Sequence, residues 1–185
     1  MKTPTALVPI AHGSESLETV TIVNVLRRAE VEVTVAGIET ELAVSGTRGM
    51  RLHADKRLLD VLGHRYDLIA LPGGEKGAEA LGRNAPLVEM LHQQNDAQHW
   101  LGAICAAPAL ALAPQHLLDR RQATCYPAFK NKLPHYVDKP VVSDGHFVTS
   151  QGPATAMAFA LKLVELLVGP GKAREVAAAL LAPSL

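Results

Sequence analysis

Trp100-Leu101-Gly102-Ala103-Ile104-Cys105-Ala106-Ala107-Pro108 decides how this chain is read. An apolar run without alternation is a strand covered on both faces. It ends at a cysteine followed at once by small residues, the pattern of a sharp turn into a helix, here Ala106 to Ala113. Such a turn lifts the Cys105 side chain clear of the sheet and points the first free helix amides at it. Those amides and the helix dipole favour an anion, so the thiol is expected below its free pKa of about 8.5. Pro108 suits the first helical turn, where no amide hydrogen is needed. The competing reading of Cys105 is a small buried hydrophobe, a common fate of free cysteine.

Outward from this turn, short apolar runs alternate with helical patterns. Toward the amino terminus, Ala6 to Ile10, Glu32 to Gly37 and Leu68 to Leu71 read as strands, with Pro9 set near the end of the first. Ser16 to Arg28 reads as a helix with Ser14 as its cap and Leu17, Val20, Val23 and Leu26 as its buried stripe. Thr47 to Leu52 is expected as a short strand or hairpin arm, and Asp55 as the cap of a short helix through Leu62. Pro86 to Asn95 is a further helix with proline near its first position. Toward the carboxyl terminus, Val141 to Ser143 and Phe147 to Thr149 flank the hairpin turn Asp144-Gly145. Ala154 to Val168, interrupted by Lys162 and Glu165, and Lys172 to Leu181 are the closing helices. This rhythm predicts an α/β fold with a parallel-rich sheet sandwiched by helices. In such sheets the site lies beyond the carboxyl ends of the strands. Three turns fall there: His12 to Glu15, Pro72-Gly73-Gly74, and Cys105 to Ala107.

Composition narrows the function. The 185 residues fit a single domain, 1–185. Eighteen basic residues balance eighteen acidic ones and are scattered, so no specific nucleic-acid partner is expected. The apolar start, Ala6 to Ile10, is too short for a signal-peptide core or a membrane span. Two cysteines at unrelated positions do not make a disulfide framework, and a cytoplasmic protein is expected.

A thiolate nucleophile needs a proton-handling partner. The eight histidines include no i, i+4 pair suited to a metal, so no metal site is expected. His12 alone sits at a candidate site turn, and a solvated loop residue describes it better. Glu15 and Glu18 open the first helix on one face. Both can be surface acids that complement the dipole, but Glu18 lies a turn deeper beside Leu17. Were it to point into the site, burial would raise its pKa above the free value of about 4.3 and let it donate to the thiolate. Gly73 and Gly74 offer backbone amides with no side chain in the way, which with Ala106 could form an oxyanion hole. Pro-Gly-Gly also occurs in ordinary turns.

Together these segments resemble the ThiJ/PfpI superfamily, most closely the branch of bacterial YajL and human Parkinson disease protein seven. The resemblance is carried in order by Gly13-Ser14-Glu15, Leu17-Glu18-Thr19-Val20, Leu71-Pro72-Gly73-Gly74, Ala103 to Pro108, Thr149 to Pro153 and Leu166 to Gly169. It implies a flavodoxin-like fold and a homodimer whose interface includes the first helix. Cys105 would be the reactive, oxidisable cysteine and Glu18 the protonated carboxyl beside it, with Gly73, Gly74 and Ala106 as oxyanion amides. Glu15, Arg48 and Tyr126 would border the pocket, and Arg28 would enter it from the partner subunit. The implied roles lie in oxidative and carbonyl stress: cofactor-independent glyoxalase, deglycase on glycated proteins, or redox-linked chaperone.

Two departures from the resemblance bear on mechanism. The human relative has a histidine where this chain has Tyr126, which leaves Glu18 as the evident acid-base group. The protease-like branch has histidine directly after the cysteine, and here that residue is Ala106, which disfavours a peptidase. Three functions follow: an enzyme on 2-oxoaldehydes, a redox sensor whose Cys105 becomes a sulfinate, or a holdase. Cys125 is either a structural cysteine or a resolving thiol for oxidised Cys105.

Overall fold

The computed structural model describes residues 3–182. Strands β1 (Thr5–Ile10), β2 (Glu32–Gly37), β5 (Lys56–Arg57), β6 (Leu68–Leu71), β7 (Trp100–Ile104), β8 (Val141–Asp144) and β9 (Phe147–Ser150) form one sheet of order β5-β2-β1-β6-β7-β9-β8. All neighbours are parallel except the β8–β9 hairpin at one edge. A separate hairpin joins β3 (Ala43–Ser45) to β4 (Arg51–His53).

The period-two alternation of side chains divides the core between the two faces of the sheet. Ala6, Val8, Ile10, Leu68 and Ala70 face α1 (Ser16–Arg28), α4 (Ala156–Val168) and α5 (Pro170–Ala179). Leu7, Ile69, Leu71 and Leu101 face α2 (Glu75–Arg83) and α3 (Ala85–Asp96). Each central strand is therefore apolar throughout, as expected for a sheet covered on both sides. The α/β, flavodoxin-like architecture expected from the sequence is the one found.

Several local expectations are corrected. Glu15, not Ser14, caps α1, its carboxylate accepting from Leu17 N at 3.3 Å. Ser14 Oγ instead accepts from Ala11 N and braces the turn after β1. The buried side of α1 holds Ser16, Glu18, Thr19, Ile22, Val25 and Leu26, while Leu17 and Val20 are 54% and 51% exposed. Thr47–Gly49 is a 3-10 turn that leads into β4. Asp55 caps nothing: its carboxylate accepts from Val35 N and from Arg27, and the residues after it form β5 and a short 3-10 turn. After Cys105 the chain makes a turn and then a π-helical segment at Pro108–Leu112, where a regular helix from Ala106 was expected. The last helix starts two residues early, at Pro170.

The helix α2 is not expected from the sequence, because Gly77 and Gly82 weaken its propensity. Both glycines serve close packing. A Cβ on Gly77 would lie 2.5 Å from Ser14 N, and one on Gly82 would meet the Leu110 carbonyl.

Candidate active site

β1, β6 and β7 are adjacent in the sheet, and the chain leaves β1 in one direction and returns at β6 on its other side. A topological switch of this kind opens a crevice at the carboxyl ends of the strands. The three turns singled out in the sequence meet there. Glu15 N donates to Gly73 O at 2.9 Å, and Cys105 N donates to Ser150 O at 2.9 Å.

Cys105 sits at the strand end with φ 63°, in the left-handed region. A residue with a side chain is strained there by roughly 1–3 kcal/mol and persists only where its surroundings hold it. Here both backbone groups are held, since Tyr126 N donates to the Cys105 carbonyl at 2.7 Å. The amides of Gly74 and Ala106 favour the charged form of the half-buried sulfur. Gly73 passes so close that a Cβ on it would lie 2.5 Å from Cys105 Cβ and 2.7 Å from Glu18 Oε2. Only a glycine fits between thiol and carboxyl.

Glu18 is fully buried. Its Oε2 accepts from Gly73 N at 2.8 Å, so that amide is not free for an oxyanion as the sequence reading expected. Gly74 and Ala106 are the amides aimed at the sulfur. Oε1 has no hydrogen-bond partner among the described residues, while the Cys105 thiol beside the carboxyl favours its charged form. Burial above all, with a smaller push from the Glu15 charge, raises the Glu18 pKa to about 7, against the Gly73 and Cys105 hydrogen bonds.

The thiol, expected to be depressed, is instead pushed up to about 12 by burial first and the Glu18 charge second. The Gly74 and Ala106 amides pull it down as expected but are outweighed. The two groups therefore act as one unit. The first proton the pair loses leaves its charge mainly on Glu18, and a protonated Glu18 removes the repulsion that raises the thiol.

Above the sulfur lies an open cleft of about 770 Å³. Glu15, Arg48 and Tyr126 all border it, together with Lys76 and Phe129. Arg48 has φ 56° in the 3-10 turn before β4. Arg28 is not at this cleft. It lies on the outer face of α1, hydrogen-bonded to Asn24 Oδ1 at 2.8 Å, beside a shallow cavity of about 510 Å³ that Val20, Val23 and Leu52 also line. His12 Nδ1 accepts from Ser45 N at 3.0 Å and braces the β3–β4 hairpin. Cys125 is fully buried, its thiol pushed up to about 11 by burial and its Sγ donating to the Tyr126 carbonyl at 3.4 Å. Among the described residues, no cluster of three or more His, Cys, Asp or Glu side chains could hold a metal ion. None of the described helices is long and apolar enough to cross a membrane.

Residues 4–166 match the model of the DJ-1/PfpI family. Protein DJ-1 homolog A of Arabidopsis thaliana is 44% identical over 183 residues, which is 97% of this chain but 47% of the plant protein, so the chain spans about half that relative's length. The glutathione-independent glyoxalase DJR-1.2 of Caenorhabditis elegans is 37% identical over 163 residues, 86% of each protein. The solved structure of oxidized Toxoplasma gondii DJ-1 superposes with a TM-score of 0.97 at 40% identity, covering 98% of this chain and all of that one. With its sequence matched through the strands, turns and helices that build the cleft, the chain belongs to the DJ-1/PfpI family.

Proposed function

We propose that this chain is a cofactor-independent enzyme that converts 2-oxoaldehydes, free or as adducts on proteins, into 2-hydroxy acids through Cys105 and Glu18. The observation that carries the reading is the pairing of a strained, amide-held thiol with a fully buried carboxyl whose pKa is about 7, at the floor of an open cleft. A general acid-base group works best when its pKa lies near the operating pH. The relative named a glutathione-independent glyoxalase supports the same reading.

With methylglyoxal the steps balance without an oxidant. The sulfur adds to the aldehyde carbon, and the thiol proton passes by way of Glu18 to the aldehyde oxygen, giving a hemithioacetal. Glu18 then takes the proton from the former aldehyde carbon and returns one to the neighbouring carbon while the hydroxyl proton passes to the keto oxygen, leaving a thioester of the 2-hydroxy acid. Water cleaves the carbon–sulfur bond, releasing lactate and restoring the thiol. The same reading puts the protein in a reducing compartment, the cytoplasm, because a nucleophilic thiol must stay reduced. Its assembly is a homodimer through the exposed apolar side of α1, where Leu17 and Val20 face solvent in the single chain. That face also carries Arg28.

Glu18→Gln tests the assignment. The amide oxygen can still accept from Gly73 N, but the group no longer carries a proton between carbons. Lactate formation is expected to fall roughly 10²–10⁴-fold. Methylglyoxal should still protect Cys105 from alkylation in this variant. Undiminished lactate formation contradicts the reading.

A second reading is oxidation of Cys105 to a sulfinate. It is favoured by the amides of Gly74 and Ala106, which already donate to the sulfur and would hold an oxygen anion there.

A further inference from the structure

The cleft over Cys105 is lined by two unlike kinds of residue. Glu15, Arg48 and Lys76 give its lining charge, and Tyr126, Phe129 and Pro153 give it apolar surface. Tyr126 is 46% exposed, and its ring has neighbours in the cleft wall. It lies over Gly152, where a Cβ would sit 3.4 Å from Tyr126 Cδ2, and it tilts against Phe129 with ring centroids 6.4 Å apart at 51°. Its amide is bonded to the Cys105 carbonyl, so the ring is tied at short range to the residue that carries the nucleophile.

A cleft of about 770 Å³ falls in the range, roughly 300–1,000 Å³, that encloses drug-sized ligands. The methyl group of methylglyoxal fills little of it. A half-exposed aromatic ring lining the cleft beside Cys105 offers burial and offset stacking to whatever substituent the bound aldehyde carries. We infer that the preferred substrates are 2-oxoaldehydes whose keto carbon bears a flat apolar group, an aryl group above all, packed against Tyr126 and Phe129. Tyr126 is then the specificity-determining residue of the cleft. This inference rests on the proposed Cys105–Glu18 chemistry and adds the substrate class to it.

The test compares phenylglyoxal with methylglyoxal in wild type, Tyr126→Ala and Tyr126→Phe, following the product acids mandelate and lactate. Measuring the acids separates turnover from arginine modification by phenylglyoxal, which yields no mandelate. Wild type is expected to show the higher kcat/KM for phenylglyoxal. In Tyr126→Ala the phenylglyoxal-to-methylglyoxal ratio should fall roughly threefold to tenfold, mostly through KM, since stacking acts on ground and transition states alike. The ratio cancels any loss common to both substrates. Tyr126→Phe keeps the ring and should keep the preference. A wild type that favours methylglyoxal, or a ratio unmoved in Tyr126→Ala, overturns the inference and leaves the Cys105–Glu18 chemistry standing. Absence of both acids in wild type overturns the two together.

Discussion

Gly73 donates its amide hydrogen to Glu18 Oε2 at 2.8 Å, and this bond holds the carboxyl in place beside Cys105. Oε1 has no hydrogen-bond partner among the described residues, so nothing there offsets the cost of burying a charge on it. The strand end after β6 thus positions a side chain from the helix after β1 beside Cys105 at the end of β7.

Gly73→Ala should force this arrangement apart. The added methyl would lie 2.5 Å from Cys105 Cβ and 2.7 Å from Glu18 Oε2. Overpacking of a tight site costs about 1–3 kcal/mol, and turnover should fall further than stability. Thermal unfolding read beside lactate formation checks this, and a variant with full activity would show that the close approach is dispensable.

Glu18 also sets a pH dependence of stability. Its carboxyl is raised from 4.5 to about 7 in the folded chain, so the folded state holds a proton that the unfolded state has lost between those values. Stability from this group is therefore complete below about 4.5, declines as pH rises and is gone above about 7, a loss of roughly 3 kcal/mol. Melting temperatures of wild type should fall relative to Glu18→Gln over that window. Parallel curves for the two proteins would contradict the burial argument.

Activity should move the opposite way. The singly deprotonated pair is the reactive form, so kcat/KM for a 2-oxoaldehyde should rise through one ionisation near pH 7. A profile flat from pH 5 to 9 would separate Glu18 from the chemistry.

Peroxide should add oxygen at Cys105 without forming a disulfide to Cys125. The latter is fully buried, its thiol pushed up to about 11, with its hydrogen directed at the Tyr126 carbonyl. Intact-mass analysis of wild type and Cys125→Ser should show the same oxygen additions. A wild-type mass two hydrogens lighter, absent from the variant, would restore the resolving role.

Val20→Arg should convert a dimer to a monomer. Val20 is 51% exposed on the apolar side of α1, and an arginine there would bury an unpaired charge in the interface. Size-exclusion chromatography with light scattering reads the result, and a monomeric wild type would contradict the proposed assembly.

The central strands and the bounds of α1 are legible in the sequence because continuous apolar runs and a 3.6-residue period have few alternative readings. The buried face of α1 is not. Leu17, Val20 and Val23 make a clean apolar stripe, but the helix turns Ser16, Glu18 and Thr19 inward with Ile22, Val25 and Leu26. Hydrophobic period reports that a face is apolar and does not say whether the chain's own core or another surface covers it. Propensity hides α2 for a related reason, since its glycines answer to tertiary packing against Ser14 and Leu110.

At the site, the Cys105 elbow is visible as a strand followed by small residues, while the thiol's raised pKa is not. Local helix amides are readable from spacing, but burial depends on what the rest of the chain lays over the sulfur. The division of labour between Gly73 and Gly74 is likewise settled by three dimensions, because either amide of a Pro-Gly-Gly turn could have met the carboxyl.

The most direct measurement is lactate formed from methylglyoxal by wild type and Cys105→Ser, side by side in an amine-free buffer. Wild type should produce lactate catalytically, and Cys105→Ser should produce none above the buffer alone. Equal rates in the two proteins would contradict the account.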